Sequence, residues 1–311
     1  VAPTTDPVGR PLLLLALTLC TTTLVGGCHY LGFEQAFDPS FSWPPPDAGA
    51  SAVAPFLSPS FLLPGLWYSL TILAILGCHE MGHVVACRHH GVDATWPYFL
   101  PVPLPLTGTL GAFIRIRSPF PSRVALFDIG IAGPLAGVLV AIPALVTGLL
   151  LSDLVRLPDD QSGLMELGEP LLFQLAARVV FGPIPDGFTI NMHPMAFAAW
   201  FGLLATALNL FPIAQLDGGH ISYAVLGSRT LWVTRSMIAV ALGLTVLSSS
   251  WGAWTAMLLG MLWLSGLRHP PTLDDDRPLD RPRLILAAVA VVILVLCFTP
   301  VPLEPFVTGN R

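Results

Sequence analysis

Gly77-Cys78-His79-Glu80-Met81-Gly82-His83 sets an HExxH motif into an apolar run that carries no charged residue from Phe61 to Leu76. On a helix, histidines at i and i+4 share one face at a spacing that suits a single Zn²⁺. The glutamate beside the first is then placed to act as a general base. In a soluble chain this would indicate an ordinary metalloprotease. Here the motif lies in or near lipid, where ionisable groups are costly and are kept for function. The pattern points to hydrolysis inside a membrane.

The rest of the chain agrees with a membrane setting. Apolar residues make up 54 % and charged residues 11 %, against about 45–50 % and 25 % in soluble globular proteins. No basic run marks a nucleic-acid partner, and every basic side chain is arginine. The five cysteines (Cys20, Cys28, Cys78, Cys87 and Cys297) show no CxxC spacing and no disulfide framework.

We expect an all-α polytopic protein with about seven transmembrane helices, near 12–27, 61–87, 124–151, 194–215, 231–248, 251–267 and 284–300. The fifth and sixth are joined by Ser248-Ser249-Ser250 alone. With a cytoplasmic N-terminus, Arg10, Arg88, Arg115, Arg117, Arg123, Arg229, Arg268, Arg277, Arg281 and Arg283 fall on the cytoplasmic face. Arg156, Arg178 and Arg311 fall opposite, and Arg235 lies within a span. That bias satisfies the positive-inside rule and puts the motif near the cytoplasmic end of the second span. The first span has a rival reading as a cleaved signal or lipoprotein signal; the charge pattern favours a retained helix. The expected location is a bacterial inner (plasma) membrane, with the active site near its cytoplasmic side.

Between the second and third spans, Pro97, Pro101, Pro103 and Pro105 forbid a helix. From Ala112 onward the residues alternate, with Phe113, Arg115 and Arg117 on one face and Ala112, Ile114 and Ile116 on the other. Apolar, non-helical backbone at membrane depth must be buried in protein or line a wet cavity, so a short β-like re-entrant segment is expected; an ordinary loop with a surface strand is the alternative. Segment 152–193 has no spanning run, and Leu164 to Phe181 reads as an amphipathic helix at the outer surface.

A catalytic zinc site usually has three protein ligands and an open position. His29 and His193 lie at the wrong depth. Asp217, in Asn209-Leu210-Phe211-Pro212-Ile213-Ala214-Gln215-Leu216-Asp217-Gly218-Gly219-His220, falls at the cytoplasmic end of the fourth span, level with His79 and His83. Pro212 and the Gly218-Gly219 pair would break the helix and let the backbone turn near the metal. Asn209 either hydrogen-bonds substrate or oxyanion, or makes a helix–helix contact. Asp128 is expected to pair with Arg123 at the interface. His220 is either a partner behind the ligands or a solvated turn residue.

His79-Glu80-Met81-Gly82-His83 and the Asn-x-x-Pro-x-x-x-Leu-Asp-Gly element at 209–218 together resemble the site-2 protease family of intramembrane zinc metalloproteases. Gly130-Ile131-Ala132-Gly133-Pro134-Leu135-Ala136-Gly137 also looks like that family's Gly-rich packing helix. The resemblance implies one Zn²⁺ held by His79, His83 and Asp217, with Glu80 as catalytic base, in a three-helix core. It divides the chain into 1–59 (first helix and outside loop), 60–222 (catalytic core) and 223–311 (C-terminal helices). Loop 152–193 is too short for the PDZ domain of many bacterial members, which indicates a PDZ-less member. The implied partners are the bilayer and a transmembrane substrate, such as a membrane-tethered regulator or anti-sigma factor. An unwound substrate segment would add as a β-strand beside Phe113, Ile114 and Arg115. The alternative is an inactive homologue or a metal-binding membrane chaperone or transporter. An intact Glu80 argues against an inactive form, and no paired repeats with broken helices indicate a transporter.

Overall fold

The computed structural model describes residues 8–37, 41–44, 53–157, 165–213, 215–247, 251–266 and 269–305. Nine α-helices occupy most of them: α1 Gly9–Phe37, α2 Pro59–His89, α3 Arg123–Leu150, α4 Leu171–Phe181, α5 Pro194–Leu210, α6 Asp217–Leu226, α7 Thr230–Leu247, α8 Gly252–Ser265 and α9 Arg281–Cys297. Three two-stranded antiparallel sheets lie between and after them. They pair β1 (Tyr98–Phe99) with β2 (Ala112–Phe113), β3 (Asp153–Arg156) with β5 (Phe188–Asn191), and β4 (Met165–Leu167) with β6 (Leu303–Pro305).

Among the described residues, four stretches are long and apolar enough to cross a membrane: Gly9–Ala36, Pro59–His89, Arg123–Leu150 and Asp217–Leu247. By length and apolarity the described residues do not confirm seven spanning helices. The stretches expected at 194–215, 251–267 and 284–300 form α5, α8 and α9, of 17, 14 and 17 residues. Pro212 accounts for the first of these, because α5 stops at Leu210. The first helix, by contrast, runs to Phe37, well past the expected residue 27. The Ser248-Ser249-Ser250 joint lies outside the described residues. So does Leu164; the outer helix begins only at Leu171, after β4 and Pro170.

The centre is α2, α3 and α5 packed around Ile75, Leu145, Leu149, Trp200 and Leu203. Small residues let the helices meet. A Cβ at Gly82 would strike the Ala132 carbonyl on α3, and one at Gly65 the Thr23 carbonyl on α1. The α1–α2 seam also carries a hydroxyl pair, Thr22 with Ser69 at 2.7 Å.

The Pro-rich stretch is non-helical as expected. It forms a hairpin in which Tyr98 faces Phe113 and Phe99 faces Ala112. The bridge Ala94–Ile116 extends the pairing towards the hairpin's base. Its far end is held between α1 and α2. The Thr21 hydroxyl donates to Gly108 O at 2.7 Å, and Tyr68 Oη donates to Thr107 O at 3.1 Å. The His29 ring meets Leu106 O at 2.9 Å.

Candidate metal centre

His79 and His83 lie one turn apart on α2 and are buried, with Glu80 buried between them in sequence. Asp217 arrives from the first turn of α6. That is a correction to the expected place at the end of the preceding span. Pro212 does interrupt the backbone, but Gly218 and Gly219 lie inside α6 and do not break it. Gly218 instead lets the new helix begin against the Leu210 carbonyl, where a Cβ could not fit.

The three side chains converge. His79 Nε2 is 3.1 Å from Asp217 Oδ2, His83 Nε2 is 3.3 Å from Asp217 Oδ1, and the two Nε2 atoms are 3.2 Å apart. His83 Nδ1 lies 2.7 Å from the Ile129 carbonyl, which only accepts, so Nδ1 carries the proton. In the neutral ring, Nε2 then presents a lone pair to the carboxylate and to the other imidazole. A cluster of such acceptors suits a bound cation. Ligand atoms about 2.0–2.2 Å from a tetrahedral Zn²⁺ stand about 3.3–3.6 Å apart, close to the separations here. The residues fit zinc, and among the described residues this is the one such group of three.

Helix α3 makes the room. A Cβ at Gly133 would overlap the His83 imidazole, one at Gly137 would lie 3.3 Å from His79 Nδ1, and one at Gly130 would lie 2.9 Å from His220 Cβ. Gly133 and Gly137, expected to admit neighbouring helices, thus admit histidine rings, whereas Gly130 lets α6 approach. Asn209, in the last turn of α5, sets its amide nitrogen 3.3 Å from His79 Nε2. The backbone N–H of Ile114, in the hairpin, lies beside the Glu80 carboxylate. Phe113 and Arg115 are exposed on the hairpin's other face, as the alternation predicts.

One expectation about polar partners needs correction. Asp128 pairs not with Arg123 but with Arg283, at 2.7 Å through both carboxylate oxygens, and with His90 at 2.9 Å. Arg123 donates instead to the carbonyls of Ala224 and Val225 at the end of α6. Sequence reasoning also passed over His269. Its Nε2 lies 2.6 Å from His220 Nδ1, and its ring stacks on Tyr223, whose hydroxyl donates to Asp275. A histidine in a charged connecting loop gives no periodic signal.

Peptidase family M50 matches residues 67–249, from α2 through α7. The chain belongs to this family. The resemblance read from the two motifs is thereby borne out. Among curated relatives of this M50 member, "Probable zinc metalloprotease EGY1, chloroplastic" of Arabidopsis thaliana is 33 % identical over 241 residues, 74 % of this chain and 42 % of the relative. The protein of that name from Oryza sativa subsp. japonica is 32 % identical over 271 residues, 85 % of this chain and 44 % of the relative. The chain thus spans less than half the length of these relatives. Their names place them in chloroplasts, so they lend no support to a bacterial inner membrane; a membrane protein is what family and apolar helices support.

Proposed function

We propose that this M50 member is an intramembrane zinc metalloprotease that hydrolyses peptide bonds within or near transmembrane segments of other membrane proteins. The observation that carries the reading is the convergence of His79, His83 and Asp217 on one point, with the buried carboxylate of Glu80 beside them.

His79, His83 and Asp217 would hold the ion. Zinc, when bound, supplies Lewis acidity, which acidifies water and polarises a peptide carbonyl. Glu80 takes a proton from the attacking water and returns it to the leaving amine. The Ile114 N–H lies beside the Glu80 carboxylate, where it can help to orient the base. The Asn209 amide stands beside His79, where it can donate to the oxyanion of the tetrahedral stage.

A substrate helix hides its carbonyls in internal hydrogen bonds and must unwind before attack. The hairpin offers the unwound chain a partner. Gly111 O bonds Leu100 N, Arg115 O bonds Thr95 N, and Arg117 N bonds Asp93 O, so the odd-numbered residues face the partner strand. Ala112, Ile114 and Ile116 then turn their peptide groups outward, towards Glu80. A substrate segment adds along this outer edge as a strand. Residues 60–222 form the catalytic core, and the hairpin is a re-entrant element whose base lies at the arginine-rich face. A membrane-tethered regulator, an anti-sigma factor among them, is a substrate of the required kind. An inert chaperone or transporter would have no use for Glu80 in this place.

The test is cleavage of single-span reporters in detergent by wild type and Glu80→Gln, with zinc measured on both. Loss of a general base is expected to slow cleavage by about 10²–10⁴-fold while zinc is kept. Equal cleavage by the two proteins, or a wild type that binds no zinc, would sink the reading.

A further inference from the structure

The hairpin's exposed face carries Phe113, Arg115 and Arg117 in succession, and two of the three have partners within the hairpin. Phe113 stacks on Tyr98, with ring centroids 5.7 Å apart and planes at 24°. Arg117 lies 3.8 Å from Asp93, the one carboxylate between residues 92 and 117. Arg115 uses its backbone to tie the strand to Thr95, through Arg115 N to Thr95 Oγ1 at 2.9 Å and Thr95 N to Arg115 O at 3.0 Å, and holds its side chain out to the exposed side.

Geometry relates these side chains to the scissile bond. Ile114 packs on the cluster of Cys87 and Ile129, whose carbonyl meets His83, and its outward N–H lies beside the Glu80 carboxylate. A peptide on that edge therefore passes the base opposite Ile114. Side chains alternate across a sheet, so the residues flanking that point share a face with Phe113 on one side and Arg115 on the other. The two sides are not equivalent. Towards Phe113 the hairpin runs up between α1 and α2, to Gly108 at Thr21 and Leu106 at His29. Towards Arg115 it runs down to Arg117 and Arg123, where α3 begins.

We infer that Phe113 and Arg115 read the residues flanking the cut, an apolar side chain on the membrane side and an acidic one on the side of the arginine-rich face. The inference rests on strand addition to the outer edge of β2. It names a substrate class for the same site, a single-span protein with an Asp or Glu just past the cleaved bond on that face. A cross-strand ion pair at an exposed position favours its partner by about three- to fivefold, and a like charge disfavours by a similar factor.

The experiment maps the cut in one reporter by mass spectrometry. It then compares Asp, Ala and Arg at each of the three positions beyond it, with wild type and Arg115→Glu in proteoliposomes. Wild type is expected to prefer Asp over Arg at one of these positions by at least threefold, and Arg115→Glu to reverse the order there. Phe113→Ala is expected to weaken the preference for large apolar residues before the cut, leaving the Asp preference in place. Zinc content and thermal midpoint verify that each variant is folded, and a ranking of reporters separates recognition from stability. Identical rankings by wild type and Arg115→Glu would overturn the inference and leave the protease reading intact. A wild type that cuts none of the reporters would overturn both.

Discussion

At the scale of residues, the site is built as much by absent atoms as by present ones. Gly133 has no side chain because the His83 ring occupies that space, whereas Gly137 leaves 3.3 Å to His79 Nδ1. The two positions therefore separate a metal effect from a helix-packing effect. Gly133→Ala should tilt His83 away from Asp217 and weaken zinc affinity about 10–100-fold, the size seen when a ligand loses its orientation. Gly137→Ala should change it less than twofold. Zinc retained against a graded chelator distinguishes them, and equal retention would show that α3 shifts to absorb the methyl. The convergence of the three candidate ligands was legible in sequence, because i, i+4 spacing follows from helix geometry and matched depth from the order of the spans. The role of Gly133 was not. A glycine reads as helix packing unless the ring it shelters is known, and that ring lies 50 residues earlier in the chain.

At the scale of elements, helix starts show what sequence can and cannot give. The alternation of exposed and half-buried residues at 112–117 survives, although only Ala112–Phe113 is strand, because each residue's face is set by its neighbours. Helix α6 was not expected, because it starts where Gly218 meets the Leu210 carbonyl, a tertiary contact. The partner of Asp128 lies 155 residues away, on α9, beyond any local pattern. The start of α5 leads to a prediction about pH. His193 caps it, accepting the Met195 N–H at Nδ1 at 3.2 Å, with Trp67 and Phe33 edge-on to its ring. Burial lowers its pKa from 6.5 to about 4, with Glu34 pulling weakly the other way. The folded state thus binds this proton less readily than the unfolded chain. The stabilisation is full above pH 6.5 and is lost as pH falls towards 4. Asn caps a helix without titrating. His193→Asn should therefore lose on the order of 1–2 kcal/mol less stability than wild type between pH 7.5 and 5, read as thermal midpoints in detergent. Parallel losses in both proteins would show that His193 is not the group responsible.

At the scale of the whole molecule, the open question is how many times the chain crosses the bilayer, and helix length alone does not decide it. Asp217–Leu247 is long enough for one crossing, yet it bends at Gly227, which has φ 60° and opens the short 3₁₀ turn Gly227–Arg229. Arg229 lies in that turn, and Arg123 binds the carbonyls of Ala224 and Val225 just before it. Two guanidinium groups gathered at a bend belong at an interface rather than at the bilayer centre. In that case α5 and α6 cross together, roughly 25 Å and 15 Å of helix broken at Pro212, and α7 turns back. The far ends agree. Trp254 Nε1, at the start of α8, donates to Thr299 O past the end of α9 at 2.9 Å, while His269, in the α8–α9 loop, meets His220 on α6. We predict on this ground that α7, α8 and α9 would each cross once, giving seven crossings with α1, α2, α3 and the α5–α6 pair. Single cysteines at Ser228, Arg277 and Asp186, with the native cysteines replaced, test this with a membrane-impermeant maleimide on sealed vesicles. Seven crossings require Ser228 and Arg277 to react from one side and Asp186 from the other. If α6 and α7 form one crossing, Ser228 lies at mid-bilayer and reacts from neither side, and α5 must then end within the membrane with Asp217 entering from the opposite face.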